Sequence, residues 1–288
     1  VARSQDLVFT LYGDYIRHLG GEAWTGSLIE LLGLLGLSGQ AVRSTLSRMS
    51  RKGWLKGRRV GNKSYYSLTL KSIDLLEEGA ERIFQPRSDL WDGRWYFLVY
   101  SIPERERPLR HRLRKRLTWL GFGSLSNATW ISPRDRRKEV EGVVNSLGIR
   151  GHVEVFSAEH FGFASDQEVA ERCWNLGELN RTYAAFIAKY EPDFLDYKKR
   201  LAGGGGLEPS ECFVRRFILV HEYRSFPYVD PNLPSELLPN DWLGDKATQL
   251  FQEYHSLLTA KANAFVDSVL AKVPIPSPSH RHKRMKGA

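Results

Sequence analysis

Between Glu30 and Asp74 the chain has no acidic residue, yet the same window carries nine basic ones: Arg43, Arg48, Arg51, Lys52, Lys56, Arg58, Arg59, Lys63 and Lys71. A solvated helix face ordinarily mixes both signs, because i,i+4 pairs of opposite charge stabilise it. A folded stretch of one sign fits contact with phosphate. The types within the window are specific. Placed at 100° per residue, Gln40, Ser44, Ser47 and Arg51 point away from the apolar Val42, Leu46 and Met49, with Arg43 and Arg48 on the flanks. Gln and Arg make paired hydrogen bonds to base edges, and Ser reaches bases or phosphates. Farther on, Arg58, Arg59, Asn62 and Lys63 surround Gly61. That is a turn suited to gripping a nucleic-acid backbone or minor groove.

Four helices and a hairpin must hold these side chains. Leu7, Leu11, Tyr15, Ile16 and Leu19 recur at helical spacing up to Gly20-Gly21, and Leu28, Leu31, Leu32 and Leu35 form a second stripe that stops near Gly36. Ser38 caps the third helix, which ends at Gly53, and is itself a DNA-binding candidate at its start. Strands over 54–59 and 64–68 make the hairpin, and a fourth helix covers 70–84. The expectation for residues 1–85 is a winged helix-turn-helix whose third helix enters the major groove of double-stranded DNA.

After a Pro-containing linker at 86–93 the pattern changes. Strand 95–102, helix 104–120, short strands at 124–125 and 128–132, helix 135–147 and strand 152–157 follow in the order βαββαβ. This predicts a ferredoxin-like domain over 94–163. Its first helix carries Arg105, Arg107, Arg110, Arg112, Arg114, Lys115 and Arg116, and Arg134, Arg136, Arg137 and Lys138 begin the next. Two readings fit this charge: a second phosphate-binding surface, or a solvated face diluted by Glu104, Glu106, Glu139 and Glu141. Residues 164–273 read as mostly helical: one helix over 166–189 extended by 194–201, another over 212–223, a proline-rich loop over 225–242, and a final helix over 245–273. Residues 274–288 read as a disordered basic tail. The fold class is therefore α+β.

Catalysis finds little support. A metal-dependent nuclease of the ferredoxin-like fold wants a carboxylate just after its first strand. Here that strand runs into Ser101-Ile102-Pro103, and Glu104 already opens a helix. No Gly-x-Ser-x-Gly occurs, and His221-Glu222 and His280-x-His282 are the only compact metal candidates. No metal, cofactor or enzymatic activity is expected. A nuclease, or an architectural nucleic-acid binder without a ligand, are the alternatives.

The chain resembles the PaaX family of transcriptional repressors, named for control of phenylacetic-acid degradation. The resemblance rests on Leu37–Arg43 and Leu46–Met49, on Trp91-Asp92-Gly93-Arg94-Trp95 with the basic helix, and on His221–Pro227, Asp230–Pro234 and Leu237–Trp242. It implies an operator-binding homodimer, a middle domain similar to CRISPR-associated small endoribonucleases, and release by phenylacetyl-CoA or a related acyl-CoA. A CoA thioester needs cations for its phosphates and an aromatic pocket for its acyl end. Arg215, Arg216, His221, Tyr223, Arg224 and Trp242, with Phe226 and Tyr228 close in sequence, are the candidates.

The whole-chain numbers agree. Net charge is +9, charged residues are 26% and only Cys173 and Cys212 are cysteines. This fits a cytoplasmic protein with a polyanionic partner and no disulfide framework. No stretch is long and apolar enough for a bilayer, and no basic-then-apolar leader is seen, so no membrane association is expected.

Overall fold

A computed structural model describes residues 4–84 and 90–273. The expected basic tail, 274–288, and residues 86–89 of the expected linker lie outside the described residues. Among the described residues no helix is long and apolar enough to cross a membrane. The chain divides into two compact units. Among the described residues, one holds those up to Arg82 together with Phe194–Tyr223 and those from Phe251 to Val273; the other holds those between Ile83 and Asp193 and Arg224–Leu250.

The first unit begins with α1 (Ser4–Asp14), a 3₁₀ turn (Ile16–Leu19), β1 (Glu22–Trp24), α2 (Thr25–Gly33) and α3 (Gly39–Arg51). β2 (Leu55–Val60), β3 (Lys63–Leu68) and α4 (Leu70–Phe84) follow. The apolar stripes meet as their spacing requires: Val8, Leu11, Leu28, Leu31, Leu32, Val42, Leu46 and Met49 are buried. Ser38 caps α3 by accepting from the Ala41 amide at 3.2 Å. At the other end Gly53 turns left-handed (φ 71°), and the Trp54 amide closes back on the Met49 carbonyl at 3.0 Å. The hairpin is tight, with Val60 opposite Lys63 and only two residues between them.

One element was not expected. β1 adds a third strand, giving the antiparallel order β1-β3-β2, with Glu22 opposite Ser67 and Trp24 opposite Tyr65. Tyr12 ties α1 to this sheet, its hydroxyl donating to the Tyr66 carbonyl at 2.8 Å; burial pushes the phenol's pKa up and keeps that proton in place. The same unit contains α9 (Pro209–Tyr223), the end of α8 (Leu176–Ala202) and most of α11 (Gly244–Ala271).

The second unit holds β4 (Trp95–Tyr100), a 3₁₀ turn (Glu104–Glu106), α5 (Arg107–Trp119), β5 (Gly123–Ser124), β6 (Thr129–Ser132), α6 (Arg137–Leu147) and β7 (Val153–Ala158). Every strand pair is antiparallel, in the order β5-β6-β4-β7. The first and third strands are thus central, which is the ferredoxin-like arrangement. Leu98, Tyr100, Trp130, Leu113, Leu117, Val140 and Val144 form the core between sheet and helices. Trp95, Ile131, Val169, Trp174, Leu233 and Leu237 form a second cluster.

The structure corrects two expectations here. The helix expected over 166–189 is two helices, α7 (Asp166–Cys173) and α8, because Trp174 takes an extended backbone (φ −128°, ψ 125°). Its indole stacks on Trp95 with centroids 6.2 Å apart and donates to the Gly121 carbonyl at 3.2 Å. Asn175 then accepts from the Glu178 amide to restart the helix. The stretch expected as a loop over 225–242 contains a short helix, α10 (Phe226–Val229), and a 3₁₀ turn (Ser235–Leu237).

Candidate nucleic-acid interface

α3 presents Gln40, Arg43, Ser44, Ser47, Arg48 and Arg51 to solvent while Val42, Thr45, Leu46 and Met49 are buried. The exposed side chains line a shallow open depression of about 520 Å³, with Ser4 at one edge. Arg48 is steadied by a 3.2 Å hydrogen bond from its Nη2 to Thr45 Oγ1. Ser38 spends its hydroxyl oxygen on the cap.

The hairpin side chains differ from one another. Arg58 is engaged: Nε and Nη2 donate to the two carboxylate oxygens of Glu22 at 2.7 and 2.6 Å, and the guanidinium lies 5.2 Å from the Tyr65 ring centroid. The carboxylate holds the guanidinium still more firmly in its charged form. Arg59 curls onto the Gly61 carbonyl at 3.2 Å, Asn62 is exposed, and the Lys63 ammonium sits 5.4 Å from the Trp24 ring. Glu22 is the residue that sequence reasoning missed. It lies outside the acid-free window and reaches Arg58 only through strand β1. Lys71 is likewise occupied, 3.9 Å over Trp54.

The residues named for an acyl-CoA fall in both units. Arg215, Arg216, His221 and Tyr223 lie along α9 in the first; Arg224 and Trp242 belong to the second. Arg216 is only 4% exposed. Its Nη2 donates to Asp14 Oδ1 at 3.0 Å, Nη1 lies 3.0 Å from Asp14 Oδ2, and Nε donates to His255 Nε2 at 3.1 Å. The guanidinium also covers the Tyr15 ring at 4.5 Å. Arg215 pairs with Glu211 at 3.0 Å, and His221 Nδ1 shares a 2.9 Å hydrogen bond with Thr10 Oγ1. Tyr223 stacks on Phe251 with centroids 3.8 Å apart, and Trp242 meets Tyr183 edge-on at 5.5 Å.

In the ferredoxin-like region, Ser101 follows β4, and its amide and carbonyl are taken up by His152 at 2.8 and 2.9 Å. The Glu104 carboxylate is paired with Arg110 at 2.6 Å. Among the described residues no three His, Cys, Asp or Glu side chains cluster in a way that would hold a metal ion.

Three family models match in succession: the PaaX-like protein model over residues 3–72, the PaaX protein central Cas2-like domain over 88–170, and the PaaX-like protein C-terminal domain over 174–268. The chain is also 33% identical over 277 residues to the transcriptional repressor PaaX of Escherichia coli (strain K12), covering 94% of this chain and 86% of that protein. The chain belongs to the PaaX family. A solved structure of an uncharacterized protein from Mycobacterium tuberculosis has a TM-score of 0.57 at 20% identity, covering 86% of this chain and 91% of that one, so the PaaX-family fold is shared with it. The central Cas2-like match agrees with the β5-β6-β4-β7 sheet.

Proposed function

We propose that this PaaX-family chain is a one-component transcriptional repressor of an aromatic-acid, phenylacetate-type catabolic operon. In this reading α1–α3 and the β2–β3 hairpin act as a winged helix-turn-helix. α3 enters the major groove with Gln40, Arg43, Ser44, Ser47, Arg48 and Arg51, while Arg59, Asn62 and Lys63 follow the backbone. Arg58 keeps the hairpin in place through Glu22. The observation that carries the reading is the outward face of α3, polar and basic inside a window of 43 residues (31–73) without a carboxylate.

The protein acts in the cytoplasm as a homodimer on a two-fold operator, by binding rather than catalysis. Segment 1–85 reads the operator, and the segments 94–163 and 164–273 together supply dimerisation and sensing. Release comes from phenylacetyl-CoA or a related acyl-CoA, which must bind the DNA-incompetent state more tightly. Because Arg216 is engaged by Asp14, its role is to hold α9 on α1, and Arg224 and Trp242 remain effector candidates. A mobility-shift assay on the DNA upstream of its own gene, with a panel of acyl-CoAs and the free acids, tests this. Specific binding that a thioester but not its free acid reverses is the expected result. Equal affinity for all duplexes would instead mark an architectural binder. Mg²⁺-dependent cleavage that Glu104→Gln abolishes would mark a nuclease.

A further inference from the structure

We propose that the outer face of α5 is a second contact for duplex DNA, made through the phosphate backbone. α5 carries six cations and no acid in 13 residues, counting Arg107, Arg110, Arg112, Arg114, Lys115 and Arg116. Leu113 and Leu117 are its buried positions. At 100° per residue, Arg107, Arg112 and Lys115 fall on the opposite side, and all three are exposed. Among the described residues only Arg110 of this helix finds a carboxylate, Glu104. Among the described residues Arg107, Arg112, Arg114, Lys115 and Arg116 have no ion-pair partner, and Arg114 rests instead 5.9 Å from the Trp130 ring.

Such a helix works against its own stability. Arg110 with Arg114 and Arg112 with Arg116 are like charges at i,i+4, each destabilising by about 0.2–0.5 kcal/mol, and Arg107 and Arg110 oppose the helix dipole at its N-terminal end. The neighbouring helix α6 shows the ordinary solution, with Arg136 on Glu139 at 2.9 Å and Arg137 paired with Asp135. A solvated face would gain from the same arrangement, so the uncompensated charge of α5 points to an external polyanion. The shape of the array selects which one. The cations run along a convex, exposed helix about 20 Å long, at 1.5 Å per residue. A nucleotide-like small molecule needs a concave site, whereas a line of charge matches the regular phosphates of a duplex.

This inference rests on the reading of the chain as a duplex-DNA binder, and the test separates the two. Full-length protein and the R107Q/R112Q/K115Q variant are titrated by fluorescence anisotropy against a random-sequence DNA duplex, from about 50 to 200 mM salt. Removing three phosphate contacts should lower the salt slope by about 2.7 units, 0.9 for each. R107K/R112K should retain the wild-type slope, and Lys115→Gln alone should lower it by about 0.9 units. Relief of repulsion predicts a Tm for the triple variant no lower than wild type at low salt. A wild-type slope in a folded triple variant overturns the α5 contact and leaves the α3 reading standing. So does loss of binding confined to an RNA duplex. If wild-type protein binds no duplex DNA, both readings fall.

Discussion

α3 and α9 both carry arginines, and the two helices use them in opposite ways. Arg43, Arg48 and Arg51 of α3 lie in a window without a carboxylate and face solvent. Arg215 and Arg216 of α9 are met by Glu211 and Asp14 of the same unit. What decides whether a cation is available to a partner is therefore not its type or its local run. It is whether the fold delivers an anion to it. Arg58 makes the same point within the hairpin, since one strand inserted beside β3 turns it from a surface cation into half of a bidentate pair.

The largest effect should come from breaking the inward case. Arg216→Ala leaves the largely buried Asp14 carboxylate without the Arg216 cation, and removing one partner of a buried pair costs about 3–5 kcal/mol. Urea unfolding should show this as a lower midpoint at unchanged slope; a loss below about 1 kcal/mol, the range of exposed pairs, would mean the pair is not truly buried. The outward case should show in binding, not in folding. Arg43→Ala should lose about 1–3 kcal/mol of discrimination between operator and random duplex, with unfolding unchanged. Equal losses on both duplexes would reassign Arg43 to the phosphates. The smallest and sharpest test concerns Arg58. Glu22→Gln releases its guanidinium, so the salt slope for duplex binding should steepen by about 0.9 units, while Lys63→Ala should flatten it by the same amount. If Glu22→Gln leaves the slope unchanged, the freed arginine does not meet DNA.

Legibility in the sequence followed the same division. Periodic features were readable: the apolar stripe Val42, Leu46 and Met49, the hairpin around Gly61-Asn62, and the βαββαβ order all appear as expected, with edges shifted by one to three residues. Non-periodic features were not. Three residues, Glu22–Trp24, are too short to show alternation, so β1 and the Glu22–Arg58 pair stayed hidden. Trp174 sits within helix-like spacing, and only its packing on Trp95 and Gly121 interrupts the helix. Asp14 and Arg216 are separated by 202 residues, and no local pattern announces a contact between them. The outward face of α3 was legible because it is defined by what it lacks, a property the sequence displays directly. The acyl-CoA candidates were chosen by proximity along the chain, and proximity does not say which way a helix turns its side chains.

The Asp14–Arg216 pair has a practical consequence for genetic dissection. α1 is held not only by α3 but by α9, through Arg216 on Asp14 and His221 on Thr10. A gene cut after the codon for Phe84 would yield a fragment that keeps the whole of α3 and the hairpin, yet its first helix would show water a face shaped to be covered. Such a fragment would be stickier and softer than the same residues in the intact protein. Chimeras that graft residues 4–84 onto another protein would need to carry α9 along with them. The unit that holds α3 is discontinuous in the gene, although it is continuous in space.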